Sequence, residues 1–233
     1  MKKPNDNEIS IWEIKAECEP DKISYFLNIL SIDEKNIAAN IANESQRNLF
    51  ITSHAATRCL LSHYLKLPTT EIDIAIHENG KPYIKNTHRI HFNLSHTQGI
   101  ALFGLSTTES IGLDIEHIKP ERNILGVAKR FFNALEYQWI QEEEKDKQLN
   151  LFYQLWCLKE ACLKGVGCGL QGGLNSFAIK KEHVCNGGNT QVHNSTWHFQ
   201  PINISNQYKA AIAHQHSAFK YQLLHWDNTI ITS

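Results

Sequence analysis

The sequence has no hydrophobic run long enough to cross a membrane, and no apolar segment follows its charged N-terminal residues. A membrane span and a secretion signal are therefore not expected, and the chain is predicted to be cytoplasmic. Net charge is almost absent as well, because the 233 residues sum to a formal charge of -1. Bulk attraction to nucleic acid or to an anionic membrane is disfavoured, and neither is expected as a partner.

Metal-binding and redox motifs are also missing. The six cysteines include no C-x-x-C pair, and the 13 histidines include no H-E-x-x-H motif. Reduced, mostly buried thiols are expected in a chain of this length without a secretion signal. A zinc site can be drawn from Cys162, Cys168, His183 and Cys185, but their spacing matches no usual pattern, and zinc is not predicted. The composition, 42% hydrophobic and 20% charged, is typical of a globular protein.

Ile111–Glu116 is a short apolar stretch that carries two carboxylates. If it is a strand, its isoleucines and leucine share one face, and Gly112, Asp114 and Glu116 share the other. The two acids then lie roughly 6.5–7 Å apart along the strand. Two oxygen donors on a rigid surface suit a hard cation such as Mg²⁺, which is usually also bound by substrate phosphates and water. An edge strand with a solvated acidic face is the alternative.

The strongest helix prediction covers residues 149–164, which contain no Gly or Pro and precede Gly165. Trp156, Glu160 and Lys164 are spaced four residues apart and share one face of this helix. Because the helix is apolar over much of its circumference, a charged strip beside a tryptophan is predicted to border a cleft. A surface Glu–Lys ion pair is the alternative.

Periodicity and capping signals predict the other elements. Helices are expected over 21–30, after the Ser31–Glu34 capping box, from 45 or 49 to 67, over 124–132 and from 133 onward. Strands are expected over 9–14, 72–76, 91–96, 100–105, 176–180, 196–201, 208–213 and 221–226, with a hairpin turn at 186–189. Each half thus contains helices followed by strands, which indicates an internal pseudo-repeat.

Two further segments carry candidate phosphate contacts. Lys81 follows Gly80 at a predicted tight turn whose exit is fixed by Pro82. His96 ends a predicted strand and is better placed to face an anion than to activate Ser95, because adjacent side chains of an extended chain point to opposite faces. The serine hydroxyl or its backbone N–H is then a second phosphate donor, and an ordinary turn is the alternative.

Taken together, three sequence blocks resemble the Sfp-type 4'-phosphopantetheinyl transferases. The blocks are Gly80-Lys-Pro82, Phe92-Asn-Leu-Ser-His96, and Ile111-Gly-Leu-Asp-Ile-Glu116 followed by Trp156-Cys-Leu-Lys-Glu-Ala-Cys-Leu-Lys164. The resemblance is good over about residues 72–177, including the Ala128–Glu136 segment, and loose outside them. Leu113 and Cys157 depart from the commoner residues of the family at packing positions only.

The resemblance implies an α+β pseudo-dimer of two similar halves with the active site between them. Residues 1–108 would form the N-terminal half, which contributes to coenzyme A binding, and residues 109–233 the half with the metal site and the catalytic helix. The implied reaction transfers the 4'-phosphopantetheine arm of coenzyme A to a serine of an apo acyl or peptidyl carrier protein and releases adenosine 3',5'-bisphosphate. It depends on Mg²⁺, with Mn²⁺ as an alternative. A monomer is expected, with carrier contacts around Phe131 and Phe132.

The resemblance also implies roles for individual residues. Asp114, Glu116 and Glu160 would bind the metal, Glu160 would act as general base, and Lys164 would complete the catalytic set by neutralising the leaving diphosphate. The implied coenzyme A contacts are Lys35, Arg47, Lys81, Pro82, Ser95, His96, Lys159 and Lys164. Among these, Lys81, with Arg47 or Lys35, would meet the adenosine 3'-phosphate. Glu136 would reach the metal site through a water.

Two other functions stay open from the residues alone. A Mg²⁺-dependent phosphohydrolase or nucleotidyl transferase could use the same acids. A non-catalytic module that binds carrier proteins would need neither the metal nor the coenzyme.

Overall fold

A computed structural model describes residues 7–16, 18–85, 87, 89–169 and 173–227 of the chain. The helices are α1 (Pro20–Ile29), α2 (Ile32–Asn40), α3 (Glu44–Leu65), α4 (Ile124–Phe131), α5 (Ala134–Glu142), α6 (Lys145–Val166) and α7 (His183–Asn186), with a 3₁₀ turn at Thr69–Glu71. The strands are β1 (Glu8–Lys15), β2 (Ile74–Ile76), β3 (Pro82–Ile84), β4 (His91–Thr97), β5 (Ile100–Ser106), β6 (Ile111–His117), β7 (Gly188–Val192), β8 (Ser195–Ile202), β9 (Tyr208–His214) and β10 (Lys220–His225).

The strands form two four-stranded sheets and a short hairpin. The first sheet has the order β10-β1-β5-β4, the second has the order β6-β9-β8-β7, and β2 pairs with β3. Every pairing is antiparallel except that of β1 with β10, which is parallel. The first sheet therefore includes a strand from the end of the chain, beyond the expected boundary at residue 109. The division into two halves stays a prediction.

The two sheets pack against each other, and a long helix covers the outer face of each. Aliphatic side chains of both sheets form one buried cluster between them, which includes Ile11, Leu102 and Leu113. Helix α3 contributes Leu60 to the cluster on the far side of the first sheet, and α6 contributes Phe152 to the cluster on the far side of the second. The α+β class expected from the sequence is confirmed, whereas the pseudo-dimer stays a prediction.

Local signals account for the helix boundaries near the site. The predicted capping box at Ser31 is formed, because the Ser31 side chain accepts from the Glu34 N–H. A second one caps α5, where the Asn133 side chain accepts from the Glu136 N–H. Helix α3 ends at Lys66, which has a φ of 59°, two residues before Pro68. Within the described ranges, no helix combines the length and the apolar character needed to cross a bilayer.

The predicted strand at 176–180 and the predicted hairpin turn at 186–189 are wrong. Residues 176–180 form no strand, because side chains take their backbone groups: the Ile179 N–H donates to Glu136 Oε1 at 2.9 Å, and the Phe177 carbonyl accepts from Lys159 Nζ at 2.6 Å. Helix α7 and the start of β7 occupy residues 183–189. The β7–β8 turn lies instead at residues 193–194, where φ is 45° and 60°.

Candidate active site

The site lies where β4, the edge strand of the first sheet, runs beside β6, the edge strand of the second. Side chains replace a backbone ladder at this seam. Asn93, Ser95 and Thr97, which alternate along β4, accept hydrogen bonds from the N–H groups of residues 113, 115 and 117 at 2.7, 3.3 and 3.1 Å. Sequence reasoning missed this role of Asn93 and Thr97, although their period of two along a strand was a usable signal.

A cavity of about 290 Å³ opens at this seam, between β4, β6 and α6. It is lined by Leu94, Ser95, His96, Asp114, Ile115, Glu116, Trp156, Glu160 and Lys164. The structure therefore brings together all three predicted metal ligands, the predicted catalytic lysine, and the serine and histidine of the second sequence block. The face shared by Trp156, Glu160 and Lys164 borders a cleft, as the helical spacing predicted.

A hydrogen-bonded cluster joins the three elements inside the cavity. Lys164 Nζ lies 2.7 Å from Asp114 Oδ1 and 2.9 Å from Ser95 Oγ, and the serine hydroxyl lies 3.2 Å from the same aspartate oxygen. Burial lowers the pKa of Lys164, but the adjacent carboxylates of Asp114 and Glu160 raise it more, so the pKa lies above its ordinary value. The ammonium is therefore a fixed positive charge beside the acids.

Both glutamates of the cavity lie near the charge of Asp114 and are partly shielded from water. Burial first, and then the Asp114 carboxylate, raise the pKa of Glu160 to about 7, against the opposing charge of Lys164. The same two causes raise the pKa of Glu116. Concentrated negative charge with incomplete solvation favours binding of a cation.

One carboxylate oxygen of Asp114 is left without a partner, as expected of a group that binds a ligand. Its carboxylate is buried, and while Oδ1 binds Lys164, Oδ2 has no hydrogen-bond partner. A buried acceptor without a partner is costly, and native proteins rarely leave one unexplained. Among the residues that the structure describes, however, no group of three or more His, Cys, Asp or Glu side chains is close enough to enclose a metal by itself.

Lys159, predicted to hold phosphate oxygens, is not brought to the cavity. Its side chain is fully buried on another side of α6, where Nζ lies 2.7 Å from Glu136 Oε1 and 2.6 Å from the Phe177 carbonyl oxygen. Glu136 is also fully buried and accepts from the Ile179 N–H. The pair ties α5, α6 and the segment before α7 together, at a distance from the carboxylates that line the cavity.

The remaining predicted coenzyme contacts line other cavities. Lys81 and Pro82 border one of about 310 Å³ beside the β2–β3 hairpin. Lys35 and Arg47 border one of about 520 Å³ among α1, α2 and α3. His96 is exposed and lines both the central cavity and a neighbouring one of about 650 Å³ next to α3. These roles stay predictions.

Arg122 is a residue near the site that sequence reasoning missed. Its guanidinium lies over the rings of Phe152, Tyr153 and Trp156, with its carbon 5.2–5.8 Å from their centroids. Stacking of this kind holds a guanidinium in place. Its charge lowers the pKa of Glu116, in opposition to burial. No local pattern indicates this contact, because it depends on how the loop after β6 folds onto α6.

Comparisons with known proteins show which family the chain belongs to. The family model described as the 4'-phosphopantetheinyl transferase superfamily matches residues 110–213, which include β6 and α6. The 4'-phosphopantetheinyl transferase ffp of Bacillus subtilis is 32% identical over 162 residues, 70% of each chain. The chain belongs to the 4'-phosphopantetheinyl transferase family. The enzyme class expected from the sequence blocks is thereby confirmed.

Two further members of the family show similar likeness. The 4'-phosphopantetheinyl transferase Sfp of Bacillus subtilis strain 168 is 31% identical over 155 residues, 66% of this chain and 68% of that protein. A putative 4'-phosphopantetheinyl transferase of Synechocystis is 35% identical over 162 residues, 68% of this chain and 66% of that protein. The chain therefore aligns with about two thirds of each of these members of the family.

Proposed function

We propose that the cavity between β4, β6 and α6 binds the diphosphate of coenzyme A together with Mg²⁺ and transfers the 4'-phosphopantetheine group to a serine of an apo acyl or peptidyl carrier protein. The observation that supports this most is the convergence of three carboxylates and one ammonium on a single cavity. Phosphoryl transfer demands mainly positioning and charge stabilisation, which such a set supplies.

The donor set fits Mg²⁺ in its usual mode of binding. Mg²⁺ keeps several waters and takes one or two carboxylates plus substrate phosphates, so a complete protein cage is not needed. The unpartnered Oδ2 of Asp114 and the half-buried carboxylate of Glu116 are the proposed ligands on β6, with Glu160 facing them from α6. The bound ion would polarise the diphosphate oxygens as a Lewis acid.

The other steps use side chains of this chain. The carrier serine oxygen would form a bond to the phosphorus attached to pantetheine, the bond from that phosphorus to the adenosine bisphosphate oxygen would break, and the serine proton would pass to a base. Glu160 suits that role, because its raised pKa of about 7 matches proton uptake near neutral pH. Lys164 would neutralise the charge that develops on the 5'-phosphate oxygen of the leaving adenosine bisphosphate, and Ser95 holds Lys164 and Asp114 in place.

We also propose that the enzyme acts as a monomer. The cavity is lined from three sides by elements of one chain. The nucleophile belongs to the carrier, so this chain needs no activated thiol. In agreement, burial raises the pKa of five thiols, those of Cys18, Cys59, Cys157, Cys162 and Cys168.

The test is intact-mass measurement of a panel of apo-carriers after incubation with coenzyme A, Mg²⁺ and the enzyme. We expect at least one carrier to gain the mass of one phosphopantetheine group. Asp114→Asn and Glu160→Gln should each abolish the gain while leaving the far-ultraviolet circular dichroism unchanged. Glu182→Gln, an exposed glutamate at the start of α7, is the matched control and should retain the activity.

Three results would contradict the proposal. Carriers that gain no mass, while the enzyme releases phosphate from nucleotides, would indicate a phosphohydrolase. Carriers that bind without any need for metal or coenzyme would indicate a non-catalytic module. Full turnover by both acid variants would show that the carboxylates have been given the wrong roles.

A further inference from the structure

Lys81, at the turn of the β2–β3 hairpin, reaches the point where the start of β6 meets the last turn of α6. Its Nζ donates to Ser110 Oγ at 2.5 Å, to the Ile111 carbonyl oxygen at 3.0 Å and to the Gly165 carbonyl oxygen at 2.6 Å. The Ser110 hydroxyl donates to the same Gly165 oxygen at 2.8 Å. One lysine therefore ties the hairpin to both elements that carry the carboxylates of the cavity.

These contacts use the full donor capacity of the side chain. An ammonium group has three N–H donors, and each of the three acceptors of Lys81 is internal. The Gly165 oxygen is among the last four carbonyls of α6, which lack partners within the helix, and a cation there interacts favourably with the helix dipole. Burial lowers the pKa of Lys81 to about 8, so the ammonium form prevails at neutral pH.

The backbones of β6 and α6 are in direct contact at this corner. A Cβ at Gly112 would lie 1.9 Å from the Ala161 carbonyl oxygen and 2.4 Å from Gly165 N. The hairpin turn also approaches the end of α6, because a Cβ at Gly167, the C-cap of the helix, would lie 2.9 Å from the side-chain atom Asn79 Nδ2. No side chain separates the strand from the helix here. The position of the last turn of α6 on β6 therefore determines the distance between the carboxylates of the two elements.

We infer that Lys81 is a positioning residue, which holds the C-terminal turn of α6 on the start of β6 and so sets the separation between the two carboxylates of the strand and the one carboxylate of the helix. This role differs from the expected contact with the adenosine 3'-phosphate, because the three internal bonds leave no N–H donor for a phosphate. The kinetic consequences rest on the proposed function. The structural consequence is that Lys81 restrains the end of α6, and this holds whatever the function is.

The kinetic test compares Lys81→Met with Lys85→Met. Lys85 stands on the same hairpin but is half exposed and pairs with Asp73 at the surface. At a temperature where both variants are folded, Lys81→Met should lower kcat roughly 10- to 100-fold, as expected for a misplacement near 1 Å, and should raise the Mg²⁺ concentration needed for half-maximal rate. The KM for coenzyme A, and its ratio to the KM for dephospho-coenzyme A, should stay unchanged. Lys85→Met should match the wild type.

The structural test is hydrogen–deuterium exchange of the free enzyme. Lys81→Met should speed exchange in the last turn of α6, and Lys85→Met should not. Ser110→Ala, which removes one acceptor of Lys81 and one donor to Gly165, should shift exchange and kcat in the same direction by a smaller factor, and it replaces Lys81→Met if that variant does not fold.

The outcomes separate the two proposals. A higher KM for coenzyme A but not for dephospho-coenzyme A, with kcat unchanged, would overturn the positioning role and make Lys81 a ligand of the 3'-phosphate. Unaltered exchange at the end of α6 would overturn it as well. A wild-type enzyme that modifies no carrier would defeat the proposed function, yet the exchange comparison would still decide whether Lys81 holds the helix.

Discussion

Replacement of Gly112 by alanine should separate the strand and the helix that form the active site. Gly112 lies on β6, two residues before Asp114, and its missing side chain is what allows α6 to approach. A Cβ there would lie 1.9 Å from the Ala161 carbonyl oxygen, 2.4 Å from Gly165 N and 2.9 Å from Gly165 Cα. All three are backbone atoms, which no rotamer change can move.

The size of the effect follows from these distances. Non-bonded carbon contacts are comfortable near 3.5 Å, so β6 and α6 must move apart by roughly 1.5 Å. Overpacking of this kind costs about 1–3 kcal/mol of the free energy of unfolding, and the backbone contact places Gly112→Ala at the upper end. The same movement separates Asp114 and Glu116 from Glu160 and Lys164. A displacement of that size should lower turnover roughly 100-fold.

Urea denaturation and carrier modification kinetics measure the two effects. Gly104→Ala on β5 is the matched control, because the three atoms nearest to its Cβ would all be side-chain atoms of Leu113 and Ile111, the closest at 2.5 Å. Those side chains can rotate, so Gly104→Ala should destabilise less and keep most of its turnover. A free energy of unfolding for Gly112→Ala within about 0.5 kcal/mol of the wild-type value, together with normal turnover, would refute this reasoning. The close approach of strand and helix would then not determine the geometry of the site.

Two further predictions concern buried ionisable groups away from the cavity. Glu136→Gln leaves the fully buried Lys159 without its counter-charge and should lower the free energy of unfolding by about 3–5 kcal/mol. The double variant Glu136→Gln/Lys159→Met should regain part of that loss. Strictly additive losses in urea titrations would show that the two side chains are not coupled. Burial lowers the pKa of His214 to about 4, so the unfolded chain binds a proton that the folded chain does not between about pH 6.5 and 4. The free energy of unfolding should therefore fall by about 3 kcal/mol as the pH falls through that window. His214→Asn should make the free energy of unfolding less dependent on pH. An equally steep fall in that variant would show that other groups cause the pH dependence.

The parts of the site that the sequence predicts correctly are those set by local patterns. The alternation in Ile111–Glu116 gives the strand with its acids on one face, and the spacing of Trp156, Glu160 and Lys164 gives one helical face. The capping box at Ser31 is likewise local. Because each of these signals lies within a few residues, a single sequence contains them in full.

The parts that the sequence does not predict depend on contacts between distant segments. Lys159 is adjacent to Glu160, yet the turn of the helix directs it to Glu136, which lies on α5. That pair also takes the backbone groups of Phe177 and Ile179, which is why the apolar stretch there forms no strand. Propensity favours a strand at residues 176–180, but satisfied buried charges outweigh it.

The seam between β4 and β6 predicts that stability and catalysis are linked in this protein. Ser95 accepts the Ile115 N–H that a backbone ladder would otherwise take, and the same oxygen contacts Lys164 and Asp114. A full ladder would merge the two edges and leave no polar side chain there. Because side chains join the sheets instead, the seam can also line the cavity, so a change that loosens the sheets should also move the charges to which we assign the transfer.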